Sequence, residues 1–230
     1  MYKRQTSANP ICAQTIWWIY SQAQIPGHGE LKVWKRADAD STEKYKTAWA
    51  TQLQAGYTAK EMRDFARAAL KEARSFSPSK VLKMGEAEVR PALRYTPALS
   101  SLIRRLESKG FEVWLTGAMS QPAIEAVAED LKISKERSIG IRARQDNKQR
   151  LLSRFENCTS ERDPTLNLAQ GRRCWIQKMI FLEKTRSRMM DTPAPIDLYF
   201  GTATTSDILA KDARFLKAQV DLKTGNLKID

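Results

Sequence analysis

The 230-residue sequence has few of the residues that build small metal-binding or disulfide-bonded domains, with three cysteines and one histidine. Cys12, Cys158 and Cys174 are an odd number at wide spacing, which matches neither a disulfide framework nor a CxxC metal clip. We therefore expect them to be buried free thiols. His28 has no cysteine or second histidine nearby, so it is a poor zinc ligand.

Long apolar runs are also missing. The longest candidate, residues 11–20, is interrupted by Gln14 and Thr15, whereas a membrane-spanning helix needs about 20 apolar residues. Apolar residues nevertheless make up 42% of the chain, which is enough for a sizeable core at this length. We expect a folded protein without a membrane-spanning segment.

Acidic residues are few relative to basic ones, because 39 Lys and Arg face 26 Asp and Glu and leave a net charge of +13. Such a charge attracts anions, including nucleic acid and phosphate esters. The basic residues are spread along the chain, and no nucleic-acid-binding signature with interleaved aromatic residues is present. We interpret most of the excess as a solvated surface, and nucleic acid is not favoured as a partner.

The first part of the chain shows helical periodicity, clearest over residues 59–73. Thr58 precedes this segment and Glu61 follows three residues later, which is a capping-box pattern. From Tyr95 onward the pattern changes to helices alternating with short apolar strands. The predicted elements are a helix over 96–109 ended by Gly110, a strand over 111–115, a helix over 121–131, a strand over 138–141, a polar stretch over 144–167, a helix from 171 to about 184 and a strand over 196–200.

This alternation predicts the α/β class, with a Rossmann-like parallel sheet flanked by helices. Residues 1–90 form a helical cap segment in this interpretation, and residues 91–230 form the α/β core. In open parallel sheets, ligands bind beyond the carboxyl ends of the strands. Small polar residues follow two predicted strands, at 116–120 and 201–207, and Gly171 opens a helix whose amides favour a phosphate.

This order of segments resembles the haloacid-dehalogenase superfamily and, within it, the phosphorylcholine-phosphatase-like members. The resemblance covers about residues 45 to 210. The matching segments are AGYTAKEM (55–62) with the cap, GFEVWLTGAMSQPAIEAVA (110–128) with the second motif, GRRCWI (171–176) with the third and FGTATTSD (200–207) with the fourth.

The resemblance implies a phosphomonoesterase that transfers the phosphoryl group to an Asp, holds phosphate oxygens with a Ser or Thr and a Lys, and binds Mg²⁺ through carboxylates. The hydroxyl position falls on Gly117, which has none, while Thr116 stands one residue earlier and on the opposite face of a strand. The Lys position falls on Arg172, which keeps the charge but changes its reach and shape; without the motif, Arg172 would be a helix-surface charge.

The two metal positions of the fourth motif fall on Thr202 and Asp207. Thr202 replaces a carboxylate, and losing one beside a hard cation weakens Mg²⁺ binding. Asp207 fits a metal ligand and the N-cap of the following helix equally well.

The nucleophile is the largest gap in the resemblance. Asp38, Asp40 and Thr42 spell the D-x-D-x-T pattern, but the three charges over residues 31–37 do not suit a strand buried on both faces. A solvated loop or helix start is the competing interpretation of Asp38 and Asp40. The opening residues 1–5 look like a translated sequencing-library adapter fused to an incomplete gene, so we expect the true nucleophile strand to have preceded Thr6.

Three functional hypotheses remain open from sequence. The first is a Mg²⁺-dependent phosphomonoesterase acting on a phosphorylated small molecule, incomplete or catalytically impaired in this chain. The second is a non-catalytic relative that binds a phosphorylated ligand or partner through Arg172 and its helix start. The third, a basic nucleic-acid-associated protein, has only the net charge of +13 in its favour.

Overall fold

The computed structural model describes residues 48, 50–84, 87–89, 91–93, 95, 97–159, 166–168, 170–201, 208–220 and 227–229. The chain divides into two compact units, Met1–Arg154 and Phe155–Asp230. The boundary near residue 90 that the sequence predicts between cap and core stays a prediction, because residues 1–47 lie outside the described part.

The first unit contains these elements: α1 (Ala59–Ser75), β1 (Leu82–Met84), β2 (Ala87–Val89), α2 (Pro97–Ser108), β3 (Leu115–Ser120), α3 (Gln121–Asp130), a 3-10 turn (Lys135–Arg137), β4 (Ser138–Ile141), β5 (Ala143–Gln145) and β6 (Leu151–Phe155), whose last residue enters the second unit. The second unit contains α4 (Gln170–Met179), α5 (Arg186–Asp191), β7 (Leu198–Gly201), α6 (Ile208–Asp212), β8 (Leu216–Val220) and β9 (Leu227–Ile229).

Helix α1 forms as its sequence predicts. The Thr58 side chain accepts a hydrogen bond from the Glu61 amide, and Glu61 Oε2 accepts one from the Thr58 amide at 2.7 Å, which completes the capping box. The hydrogen bond from the Thr58 amide is the main reason why the pKa of Glu61 lies below its ordinary value, and the bond with the Thr58 side chain lowers it further. The buried side of α1 carries Met62, Ala66, Ala69, Leu70 and Ala73.

Helix α1 packs against α3. Ala66 and Leu70 belong to the same buried cluster as Ile124 and Val127. Arg63 Nη1 lies 2.6 Å from Glu125 Oε2, and both side chains are largely buried. Apolar burial and this ion pair therefore fix α1 onto the helix that follows β3.

Strands β3 and β4 are parallel and are joined through α3, which makes a βαβ unit. Their register pairs Leu115 with Ser138 and Thr116 with Ile139, then shifts before Ser120 pairs with Ile141. Helix α3 ends at Asp130, and the left-handed Lys132 (φ 66°) lets the Ile133 amide bond to the Ala128 carbonyl. The predicted helix over 121–131 and strand over 138–141 are confirmed.

The predicted strand over 111–115 is wrong, because the ladder runs over Leu115–Ser120 instead. Residues 111–114 follow the C-terminus of α2, and the first of them takes part in its capping. Gly110 adopts a left-handed φ of 85°, its amide bonds to the Glu107 carbonyl, and the Phe111 amide bonds to the Leu106 carbonyl. This is a Schellman motif, and it uses the beginning of the apolar run to terminate a helix.

The sequence predicts a long polar stretch over 144–167, and the structure shows that most of the β5–β6 hairpin lies in it. Asp146 Oδ1 accepts hydrogen bonds from the Lys148 and Arg150 amides, each at 2.8 Å, and so holds the turn. Ala143 and Leu151 are buried with Met62 in a small cluster. With only one buried residue in each strand, the alternation of apolar and polar residues is too short to predict the strands from the sequence.

In the second unit, β7 pairs with β8 in parallel and β8 pairs with β9 antiparallel. The sequence predicts that the strands near residues 115 and 198 share one sheet, which the described residues do not show: within the first unit β3 pairs with β4, and within the second β7 pairs with β8. Apolar patterning identifies buried strands, but it does not identify their neighbours. The described residues form an α/β protein with small parallel sheets.

The expectation of free thiols is wrong for two of the three cysteines. Cys158 and Cys174 form a disulfide whose Cα atoms lie 6.2 Å apart, and both residues are buried. A separation of 16 residues matches no known cysteine motif, so the sequence did not indicate this pairing. The segment that carries Cys158 packs beside α4, where Lys178 Nζ donates a hydrogen bond to the Asn157 carbonyl at 3.1 Å. Cys12 lies outside the described residues.

Across the described ranges, no helix combines the length and the apolar character that crossing a bilayer requires.

Candidate phosphate-binding site

The hydroxyl position of the second motif lies inside strand β3 and not beyond its end. Gly117 faces α3, because a Cβ built on it would lie 2.7 Å from Ile124 Cδ1. Ile124 is 3% exposed and belongs to the core, so its side chain has little freedom to move aside. Gly117 is therefore explained by the close approach of helix and strand.

Thr116 precedes this position and is half-buried. Its Cα pairs with Ile139 of β4, and the irregularity in the ladder begins immediately after it. Thr116 could replace the hydroxyl that Gly117 lacks only if the backbone shifted. The strand is irregular between Thr116 and Ser120, where such a shift would be needed. Thr116 thus stays a candidate phosphate ligand.

The carboxyl end of β3 carries Ser120, from the predicted polar segment 116–120, and Gln121, which the sequence analysis did not single out. Ser120 is buried, and its Oγ accepts a hydrogen bond from Gln54 Nε2 at 2.9 Å. Gln121 Oε1 accepts one from the Gly140 amide at 2.7 Å, while Gln121 Nε2 donates to the Ser138 carbonyl at 3.1 Å. These bonds tie the start of α3 to strand β4.

Gly140 lets α3 approach β4 closely. A Cβ at this position would lie 2.8 Å from Gln121 Cα and 2.8 Å from the Met119 carbonyl oxygen, both of which are backbone atoms. At this end of the βαβ unit, α3 and β4 are therefore held together by close backbone packing and by hydrogen bonds of the Gln121 side-chain amide.

Arg172 lies in the first turn of α4, which begins at Gln170, so the predicted helix start is confirmed. The helix ends at Met179 and not near residue 184. Leu182 is left-handed (φ 54°), and the Glu183 amide bonds back to the Gln177 carbonyl, which turns the chain away. Arg172 is half-buried, beside amides that favour an anion.

Arg173, the next residue, is not a surface charge. Its guanidinium makes a two-pronged ion pair with the Asp212 carboxylate, with Nε 2.7 Å from Oδ2. Asp212 Oδ2 also accepts a hydrogen bond from the Ala194 amide at 3.0 Å. The Arg173 side chain is 12% exposed and that of Asp212 is 1% exposed, so the pair is shielded from water.

Further hydrogen bonds hold the same helix to the last turn of α5 and to the residues that follow it. Gln170 Nε2 donates to the Met190 carbonyl at 3.2 Å, and Gln177 Nε2 donates to the Thr192 and Pro193 carbonyls, each at 3.2 Å. With the disulfide at Cys174, these contacts hold α4 along its length. The first turn that carries Arg172 is thus part of a rigid element.

The site residues predicted from the sequence that the structure describes belong to two different units. Thr116 and Gly117 belong to the first unit, and Arg172 belongs to the second. Asp38, Asp40, Thr202 and Asp207 lie outside the described residues, so their roles stay predictions. Asp212 was missed, and only its place near the end of a short helix after the fourth motif distinguishes it in the sequence.

The Mg²⁺ ligands predicted at Thr202 and Asp207 lie outside the described residues. In the part of the chain that the structure describes, no group of three or more His, Cys, Asp or Glu side chains is arranged to hold a metal ion.

Comparison with known proteins gives a likeness of fold. The structure is similar to that of a conserved, functionally unknown protein from Anaerococcus prevotii DSM 20548, with a TM-score of 0.53, 18% identity, and coverage of 71% of this chain and 43% of that one. A phosphoserine phosphohydrolase-like protein from Francisella tularensis subsp. tularensis SCHU S4 matches with a TM-score of 0.38 and 14% identity, over 84% of this chain and 73% of the other. No protein-family model matches, and neither does any curated protein at a significant level. This chain spans less than half the length of the Anaerococcus protein.

Proposed function

We propose that the chain is a haloacid-dehalogenase-type phosphomonoesterase with impaired catalysis, which still binds the phosphate of a small phosphorylated molecule. The order of its motifs supports this proposal, as does the α/β fold with two parallel strand pairs. The observation that carries it is Arg172, which takes the place of the phosphate-holding Lys in the first turn of α4.

The first turn of α4 suits an anion for two reasons. Amides at a helix start carry partial positive charge, although that of Gly171 already donates to the Leu168 carbonyl at 2.9 Å, and a guanidinium can hold two phosphate oxygens at once. The Arg173–Asp212 pair and the disulfide keep this turn in place before any ligand arrives. Binding therefore needs little ordering of the backbone.

Impaired catalysis is expected because several positions have changed together. Gly117 has no hydroxyl, and Thr202 stands where the family has a carboxylate. Loss of a single electrostatic stabiliser commonly lowers the rate about 10²- to 10³-fold. The nucleophile, which depends on Asp38 and Asp40, is the remaining requirement for covalent catalysis.

A non-catalytic phosphate-binding protein is the second candidate, and the packing of Gly117 favours it. The Cβ of a Ser or Thr at this position would lie 2.7 Å from the buried Ile124. The hydroxyl that the family uses is therefore incompatible with the local packing unless Ile124 moves. This arrangement suits a protein that binds phosphate without turning it over.

The experiment is hydrolysis of p-nitrophenyl phosphate with and without Mg²⁺, on the full chain, on Arg172→Ala and on Asp38→Asn/Asp40→Asn. We expect activity at the buffer background in all three. Robust Mg²⁺-dependent activity that Arg172→Ala reduces would contradict impaired catalysis. If Asp38→Asn/Asp40→Asn also abolished that activity, the chain would carry its own nucleophile.

A further inference from the structure

The β5–β6 hairpin concentrates positive charge in a way that the sequence as a whole does not. We define the basic hairpin as residues 142–154, which contain Arg142, Arg144, Lys148, Arg150 and Arg154 and one acidic residue, Asp146. Five positive charges against one negative charge leave +4 in 13 residues. The Asp146 carboxylate is engaged with two backbone amides of the turn.

Strand alternation sorts these residues onto two faces. Ala143 and Leu151 point inward and are 7% and 3% exposed, packed with Met62. Neighbouring residues in a strand point to opposite faces, so Arg144, Leu152 and Arg154 point outward, and all three are exposed. Arg142 falls on the same alternation as Arg144 and is half-buried. The outer face is therefore rich in guanidinium groups.

The basic hairpin is also fixed to the body of its unit. The Leu151 amide donates to the Tyr57 carbonyl at 2.7 Å, and the Gly56 amide donates to the Leu151 carbonyl at 2.8 Å. Gln52 Nε2 bonds to the Ser153 carbonyl at 3.1 Å. The hairpin backbone is therefore ordered before a ligand binds, so the ordering cost of binding falls on the Arg and Lys side chains.

We propose that the outer face of the basic hairpin binds the sugar–phosphate backbone of a nucleic acid, independently of base sequence. Arg144 lies on β5, Arg154 on β6 and the exposed Lys148 in the turn between the strands, so several cationic groups of one hairpin can each meet a phosphate of a linear polyanion. A small phosphate ester would meet only one or two of them. Exposed Leu152 lies within this face and offers an apolar contact to a sugar or base.

An anionic membrane fits this face less well than a nucleic acid. Surface binding to lipid draws on buried apolar area as well as on charge. Among the residues of the basic hairpin, Leu152 is the large apolar side chain that is exposed, at 37%. Charge without apolar insertion is instead the pattern of contacts to phosphate backbones, where Lys and Arg release counterions.

The test measures binding of the full chain to a fluorescent oligothymidylate as a function of salt. The hairpin variant is Arg144→Gln/Lys148→Gln/Arg154→Gln, and the matched control is Lys71→Gln/Arg104→Gln/Lys109→Gln, three exposed residues elsewhere in the same unit. Each variant removes three positive charges, and circular dichroism checks that both fold.

We expect the hairpin variant to bind on the order of 10-fold or more weakly and to lose about 2 from the slope of log affinity against log salt, since each phosphate contact on a single strand contributes about 0.7. The control should bind nearly as the parent does. Equal weakening in both variants would overturn the proposal, because net charge alone would then explain binding. So would absence of oligonucleotide binding, or hairpin-dependent binding to phosphatidylserine vesicles but not to the oligonucleotide.

Discussion

Arg173 and Asp212 form a buried two-pronged ion pair that joins α4 to the end of α6. The pair also holds the chain at Ala194, whose amide donates to the same carboxylate. Removing one partner leaves the other charged and shielded from water, which is costly.

We expect Arg173→Met and Asp212→Leu each to lower the free energy of unfolding by about 3–5 kcal/mol in urea denaturation. The double variant should lose clearly less than the sum of the single losses, because neither charge is then left alone. Additive losses would show that the two side chains do not act as a pair.

The disulfide between Cys158 and Cys174 closes a loop of about 16 residues. Closing a loop of that size contributes about 3 kcal/mol. Cys158→Ala/Cys174→Ala should therefore lower the free energy of unfolding by about this amount, and the parent with reductant should behave in the same way. Thiol titration of the unreduced, unfolded chain should find Cys12 reactive and the other two protected; three reactive thiols would contradict the pairing.

Gly117 packs closely against Ile124, and a double-mutant cycle tests whether this packing excludes a side chain at position 117. We expect Gly117→Ser to destabilise the fold by about 1–3 kcal/mol, as overpacking does. Ile124→Val removes the Cδ1 atom that lies 2.7 Å from the added Cβ, so much of that loss should be recovered in Gly117→Ser/Ile124→Val, relative to Ile124→Val alone. Recovery would be absent if Gly117 were conformationally required.

The capping box of α1 predicts a dependence of stability on pH. Its hydrogen bonds hold the pKa of Glu61 below the ordinary value of 4.5. A lowered pKa in the folded state contributes stability that is present above pH 4.5 and is lost as pH falls through the folded-state value. The parent should therefore be more stable than Glu61→Gln at neutral pH and converge with it in acid. A difference that stays constant across this range would contradict the assignment.

Local signals account for what could be predicted from the sequence. Thr58 and Glu61 identify the start of α1, and Gly110 identifies the end of α2, because caps depend on residues a few positions apart. The strand at 111–115 was wrong because the same apolar residues also suit a Schellman ending.

Long-range relations could not be predicted in the same way. The bond between Cys158 and Cys174 and the pair of Arg173 with Asp212 depend on how segments return to α4, which no local pattern records. The choice of strand neighbours has the same origin: β3 pairs with β4, and β7 pairs with β8. For the site, the position of Arg172 at a helix start could be predicted, whereas the buried contacts that hold this helix could not.

Phosphate affinity is the property that the proposed function requires of Arg172. The direct measurement is titration of the full chain with inorganic phosphate by isothermal calorimetry, compared with Arg172→Ala, Arg172→Lys and the control Lys211→Ala. Lys211 is an exposed residue of α6 in the same unit, and its removal changes the net charge equally.

We predict weak binding to the parent, retained in Lys211→Ala, reduced in Arg172→Lys and lowered about 10-fold or more in Arg172→Ala, since a charge-assisted contact contributes about 1.5–3 kcal/mol. Phosphate affinity that is the same in Arg172→Ala as in the parent would remove Arg172 from the site and contradict the proposed function.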